Sequence, residues 1–336
     1  MLGSETKVDD ILKGINQSLL RNINYKFQLY GSEALIKKKI EKYKRLIQVS
    51  EIIDCDSFIS MDDKPADIVR TKENSSMYRA IKAVKDNHSD ALLSFGNTGA
   101  LMSLSTLHIK TLEFIRRPAI ASIWPNMLGE SIVLDLGANT KLDARYLIDN
   151  SILGASLAVI LFKIDSPSVG LLNVGVEDNK GREEIKLASD KLKEFTKNIN
   201  INYQGYVEGN DISFGKTNVV VTDGFTGNIA LKTAEGTAKL FQSHLNDAFR
   251  SSILSKIGFF FASLAMKSVR DRLDPRVHNC GILMGLNSLV VKCHGHSEFR
   301  GVSYAADIIY SLLENNVNNK IQHYVSEIQT KLKKDH

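Results

Sequence analysis

Cysteine, proline and tryptophan are scarce in this chain of 336 residues, at three, five and one. The cysteines, Cys55, Cys280 and Cys293, are odd in number and form no Cys-x-x-Cys pair. A disulfide framework and a thiolate zinc site are thereby excluded, and a reducing compartment fits. No proline- or serine-rich linker interrupts the chain, so a single catalytic domain over residues 1–336 is expected. Also missing are a Gly-x-Gly-x-x-Gly fingerprint and clustered acidic side chains, so neither a nucleotide cofactor nor a metal is expected. The opening Met1-Leu2-Gly3-Ser4-Glu5 lacks a basic region followed by an apolar stretch, so no secretory signal is read and the cytoplasm is the expected location. What is present is ordinary for a folded soluble protein: 43% hydrophobic and 24% charged residues.

The net charge of +5 is local, because residues 1–50 hold ten Lys/Arg against five Asp/Glu. Its densest part, Glu33 to Arg45, places Leu35, Ile36, Ile40 and Tyr43 at helical spacing. The lysines there read as the solvated face of an amphipathic helix, or as a docking surface for an acidic partner or anionic membrane. Nucleic acid is not an expected partner, since no binding motif or aromatic platform accompanies the charge.

Short β-branched runs alternate with amphipathic segments: Ala91–Ser94, Ala119–Ile123, Ile132–Leu136, Val169–Val174, Gln204–Val207, Val219–Thr222 and Ser288–Lys292 read as strands. That alternation predicts a three-layer α/β/α fold with a mainly parallel sheet. A protruding helical excursion is expected from about Gly236 to Leu273. Its apolar centre, Ile257–Met266, is about half the roughly 20 residues that cross a bilayer. Arg250, Lys256, Lys267, Arg270 and Arg272 flank it, which suits a core helix, a dimer-forming helix pair or a helix lying in an anionic membrane.

Two segments share the pattern strand, glycine turn, helix: Ala91 to Leu101, carrying Gly96-Asn97-Thr98-Gly99, and Val219 to Lys232, carrying Gly224-Phe225-Thr226-Gly227-Asn228. Each helix is expected to aim free N–H groups and a positive dipole end at an anion, and the glycines let the backbone approach it. A third turn, Asp135-Leu136-Gly137-Ala138-Asn139, makes convergence at one sheet edge the expectation. The loop after Val169–Val174 supplies Asn173 and Lys180; the lysine either neutralises a phosphate or developing oxyanion, or is a surface residue paired with Glu177. His294 in Lys292-Cys293-His294-Gly295-His296 reads as a proton donor or as a structural histidine, and Cys293 is a weak candidate nucleophile.

Taken in order, these turns resemble the bacterial phosphate acyltransferases, also called acyl-ACP:phosphate transacylases. The likeness runs from about Asn74 to Gly295 through Ser75-Ser76-Met77, Ser94 to Met102, Arg117-Pro118-Ala119, Val133 to Asn139, Leu171 to Gly175 with Lys180-Gly181, Asn210-Asp211-Ile212, Thr222 to Asn228, Leu231-Lys232-Thr233, and Lys292 with His294-Gly295. The resemblance implies an isocitrate-dehydrogenase-like fold shared with phosphotransacetylases, a homodimer, and peripheral association with the inner membrane. It further implies that phosphate attacks a long-chain acyl-ACP thioester directly, in phospholipid synthesis. Lys180, Asn228, Asp223 and His294 then become catalytic candidates, and Gly96, Asn97, Thr98, Gly99, Asn139, Asn173, Gly224, Thr226, Gly227, Lys232 and Gly295 substrate-binding ones. The alternatives are a phosphotransacetylase-like acyl-CoA enzyme and an inactive membrane-associated scaffold. In three places the chain departs from the family pattern. Members open with a strand ending in Asp-x-Met-Gly-Gly-Asp, whereas Met1-Leu2-Gly3-Ser4-Glu5 corresponds to that motif's end, so one strand and its aspartate are expected to be missing. Asn279-Cys280-Gly281 replaces a Gly-Gly-Ala, and His296 a small residue.

Overall fold

The structure is a computed structural model that describes residues 3, 6–21, 24–63, 68, 74–196, 199–273, 280–293 and 297–334. In chain order the elements are α1 (Val8–Arg21), β1 (Phe27–Gly31), α2 (Glu33–Ile40), α3 (Lys44–Gln48), β2 (Ser50–Asp54), α4 (Ser76–Lys85), β3 (Ala91–Ser94), α5 (Thr98–His108), β4 (Ala119–Asn126) and β5 (Gly129–Leu134). They continue with α6 (Ala144–Phe162), β6 (Ser168–Leu172), α7 (Glu183–Phe195), β7 (Asn202–Val207), α8 (Gly209–Phe214), β8 (Val219–Val221), α9 (Gly224–Arg250), α10 (Ile253–Leu273), β9 (Cys280–Met284), β10 (Leu289–Cys293), α11 (Phe299–Glu314) and α12 (Val317–Lys334).

Eight strands form the main sheet in the order β3-β10-β9-β4-β5-β8-β6-β7, and β1 and β2 form a separate parallel pair. The alternation of side chains along each strand builds two apolar layers. In β8, Val219 and Val221 enter one cluster with Ile152 of α6, Leu192 of α7 and Val302 of α11, whereas Val220 enters the other with Ile81 of α4 and Leu101 of α5. The three-layer α/β/α fold expected from the sequence is therefore observed.

All seven expected strands are present, and three were missed. The missed β9 lies antiparallel between β10 and β4, and the β4–β5 hairpin adds a third antiparallel pairing, while β3–β10, β5–β8, β8–β6 and β6–β7 are parallel. Strands β3, β10 and β4 consequently run one way, and β9, β5, β8, β6 and β7 the other.

Helix α6 is the one described helix long and apolar enough to cross a bilayer, but it is a core element with buried side chains from Ala144 to Ala158. Within it, Asp149 is fully buried and receives Arg145 Nε at 2.8 Å; burial nevertheless pushes its carboxyl up to about 6. Residues 33–45 break into α2 and the start of α3 instead of one helix, and Ile36, Ile40 and Leu46 are buried beneath them. Lys37 pairs with Glu33 at 2.6 Å, and Lys39 and Lys42 both reach Asp9, so this face is solvated and ion-paired.

The helical excursion begins earlier than the sequence suggests, at Gly224. At about 1.5 Å per residue, the 27 residues of α9 span roughly 40 Å. Only Gly224 and Gly227 of this helix are buried, so most of it stands clear of the body. Helix α10 returns beside it, with the Phe249 and Phe259 rings 4.9 Å apart. The side chains of Lys267, Arg270 and Arg272 lie outside the described residues, as do Asn279, His294, Gly295 and His296.

Candidate active site

The reversal of strand direction corrects the expected convergence at one sheet edge. The Gly96–Gly99 turn leaves β3 at one edge, together with the end of β10; the 135–139 turn, the 173–181 loop and the Gly224 turn leave β5, β6 and β8 at the other. Three of the four glycine-bearing segments are thus neighbours, and the fourth stands apart.

At the first edge, Asn97 caps α5. Its Oδ1 accepts Ala100 N–H at 3.0 Å, while Nδ2 donates to the carbonyls of Ser60, Met61 and Asp63 at 3.2, 2.9 and 3.2 Å. The Asn97 side chain therefore ties the turn to the 60–63 loop instead of facing a ligand. The Thr98 and Gly99 N–H groups have no acceptor among the described residues, which leaves an anion-receptive helix start. Beside this turn, Lys292 pairs with Ser94 across β10 and β3; it is buried and donates to the Cys293 carbonyl. A lysine in an otherwise apolar strand was the signal available for this buried cation. The candidates His294 and Gly295, which follow β10 in sequence, fall outside the described residues.

At the second edge, two aspartates close their own turns. Asp223 Oδ1 accepts the N–H groups of Phe225 and Thr226, both at 3.0 Å, and Oδ2 accepts the Thr226 hydroxyl at 2.7 Å. Gly224 N–H donates to Asn139 O at 2.8 Å and Gly227 N–H to Asp223 O at 2.9 Å. All four leading N–H groups of α9 are satisfied, so this helix start is not the free anion site that the sequence pattern suggested. Its glycines serve contact: a Cβ on Gly224 would lie 2.7 Å from Asn139 O, and one on Gly227 only 1.9 Å from Asp135 O. The facing turn is closed by Asp135, whose Oδ1 accepts N–H from Ile120, Gly137 and Ala138 and whose Oδ2 accepts Asn139 N–H and the Tyr146 hydroxyl.

The four asparagines proposed from sequence separate clearly. Asn97 is spent as described. Asn139 Nδ2 donates to Pro118 O at 2.8 Å and Tyr146 Oη at 2.7 Å, and Asn173 Nδ2 donates to the carbonyls of Gly175 and Lys180. Asn173 Oδ1 is buried against Gly181, whose φ of 86° brings its backbone into contact. Only Asn228 keeps an amide with no hydrogen-bond partner among the described residues; it is exposed and rests on Gly137. Lys180 is likewise exposed and makes no ion pair among the described residues, so the expected alternative of a Glu177 pair is not what the structure contains; only its backbone N–H meets Glu177 O. Lys232 is committed to Glu235 at 2.8 Å. Burial holds both neighbouring thiols protonated, pushing Cys280 up to about 12 and Cys293 well above its usual value, which removes Cys293 as a nucleophile.

Residues 1–320 match the family described as fatty acid synthesis protein. The phosphate acyltransferase of Xanthobacter autotrophicus is 44% identical over 322 residues, 96% of this chain and 90% of that protein. The chain belongs to the phosphate acyltransferase family. The family member from Sinorhizobium fredii is 43% identical over 96% of this chain and 93% of its own length. As a member of this family the protein is an acyltransferase. Its fold is similar to that of a phosphotransacetylase from Streptococcus pyogenes, with a TM-score of 0.59 at 15% identity, covering 96% of this chain and 92% of that one.

The two glycine classes on α9 give opposite expectations. Gly227→Ala drives a methyl into the Asp135 carbonyl and is expected to destabilise the acyltransferase by about 1–3 kcal/mol. Gly236→Ala, with open space around it, is expected to stabilise by about 1 kcal/mol. Denaturant unfolding measures both; equal changes would mean that the joint at Gly227 is not tight.

Proposed function

We propose that this family member transfers a long-chain acyl group from acyl carrier protein to inorganic phosphate, in the cytoplasm and at the inner face of a membrane, for phospholipid synthesis. A phosphate oxygen attacks the thioester carbonyl, the C–S bond breaks, and the carrier leaves as a thiolate that takes up the proton from phosphate. The products are acyl phosphate and the free carrier thiol. Because a thiolate leaves readily, the protein has two tasks, alignment and stabilisation of the oxyanion. Alignment contributes roughly 7–11 kcal/mol and each oxyanion donor roughly 3–4 kcal/mol.

The observation that carries this reading is that an ammonium and an amide, each without a side-chain partner among the described residues, follow neighbouring strands at one sheet edge: Lys180 after β6 and Asn228 after β8. In the proposed roles, Lys180 neutralises phosphate or the developing oxyanion and Asn228 donates a hydrogen bond to it. Thr98 and Gly99 N–H form a second anion-receptive point, and His294 keeps its proposed part in proton handling. Asp223 orients the first turn of α9 instead of moving protons, since both its carboxylate oxygens are occupied.

The basic segment 1–50 suits an acidic carrier protein. The hairpin of α9 and α10 exposes Leu240, Phe241, Leu254, Phe260 and Phe261, an apolar surface that supports homodimerisation and contact with an anionic membrane. A two-carbon acyl-CoA has no use for such a surface, which favours the long-chain donor.

Phosphate-dependent consumption of palmitoyl carrier protein, with little turnover of acetyl-CoA, is the expected outcome in vitro; equal thioester hydrolysis without phosphate would exclude the reaction. Lys180→Ala is expected to lower kcat about 10²–10³-fold. Phe259→Asp with Phe261→Asp is expected to abolish cosedimentation with anionic liposomes, and undiminished binding would remove the membrane from the account.

A further inference from the structure

We propose that Asp135 is a positioning residue that acts through the 135–139 turn to place the Asn228 amide. The inference rests on the role given to Asn228 above. Asp135 is wholly buried and gathers five donors: three N–H groups at 2.8–3.1 Å on Oδ1, and Asn139 N–H with the Tyr146 hydroxyl, both at 2.8 Å, on Oδ2. None of these donors is a cation. Burying a carboxylate without a counter-charge is expensive, and a neutral side chain would close a turn at lower cost.

The carboxylate makes the loop one rigid piece. Oδ1 fixes Gly137 and Ala138, and through Ile120 it fixes the start of β4. Oδ2 orients the Tyr146 hydroxyl, which must donate to Asp135 and so accepts from Asn139 Nδ2. Asn139 Nδ2 donates to Pro118 O as well, so Asn139 is held at its backbone N–H by Asp135 and through its side chain by Pro118 and Tyr146.

On this piece sits the first turn of α9. Gly224 N–H bonds to Asn139 O at 2.8 Å, and the backbone at Gly227 approaches Asp135 O so closely that an added Cβ would lie 1.9 Å away. Asn228, the next residue, lies over Gly137, whose added Cβ would be 3.7 Å from its own. Any shift of residues 135–139 is handed to Asn228 with no compliant side chain between. Misplacement of a catalytic donor by about 1 Å costs on the order of 10²-fold in rate.

Asp135→Asn replaces one acceptor oxygen with an NH₂ group that faces the donors Asn139 N–H or Ala138 N–H. The expected result is a folded protein whose kcat falls about 10²-fold while KM for phosphate and for acylated carrier protein changes less than threefold. Asn228→Ala is expected to fall similarly, and the double variant to be no slower than either single one, because both remove the same interaction. If Asp135→Asn fails to fold, Tyr146→Phe, which removes one of the five donors, takes its place in the cycle with a smaller fall and the same non-additivity. Wild-type kcat in folded Asp135→Asn, or multiplicative losses in the double variant, overturns the positioning role. Absence of phosphate-dependent transfer by the wild-type protein would instead overturn the proposed reaction.

Discussion

Two aspartates, each buried and each taking the N–H groups of the turn that follows it, set the geometry on which the rest of this acyltransferase depends. A glycine-rich turn that leaves a parallel strand exposes several backbone donors, and each must find an acceptor. In many phosphate sites that acceptor is the ligand. Here Asp135 and Asp223 supply it from within the chain, so the two turns dock on one another as finished surfaces, with Gly224 and Gly227 set against the carbonyls of Asn139 and Asp135. The energy of those donors goes into rigidity, and recognition passes to side chains carried on the rigid turns.

That division explains why so few of the polar groups near the β5, β6 and β8 ends are free. Asn139 and Asn173 spend their NH₂ groups on backbone carbonyls, and Lys232 is held by Glu235. Of the polar side chains singled out from the sequence at these strand ends, Lys180 and Asn228 are the two left uncommitted among the described residues, one in the loop after β6 and the other in the first turn of α9. For the proposed reaction, whose thiolate leaving group departs without help, a fixed cation and a fixed hydrogen-bond donor would be a sufficient electrostatic apparatus. Neither would be effective on a mobile loop, and Asn173 provides the corresponding restraint on the lysine loop by bonding to both Gly175 and Lys180 carbonyls.

Much of the fold was legible in the sequence because its central strands are buried on both faces and read as β-branched runs; Val219–Val221 and Leu289–Cys293 are wholly buried. Strands β1 and β2, Phe-Gln-Leu-Tyr-Gly and Ser-Glu-Ile-Ile-Asp, were not, because they belong to a two-stranded sheet and carry polar residues. Strand β9 was hidden by its position after the helical excursion, and missing it concealed the change of strand direction. The position of the glycine turns was legible as well; their electrostatics were not. Residue type alone does not say whether an amide faces a ligand or a carbonyl, and the three carbonyls that claim Asn97 come from residues 60–63, which no local pattern links to it.

The account requires that both substrates be held together, since the described residues offer Lys180 and Asn228 as electrostatic groups while the thiols are buried and protonated. Initial rates measured across a matrix of phosphate and acylated carrier protein concentrations test this most directly. Double-reciprocal lines that intersect are the expected result, as a ternary complex demands. Parallel lines would signify an acyl-enzyme formed before phosphate binds, and would contradict direct transfer.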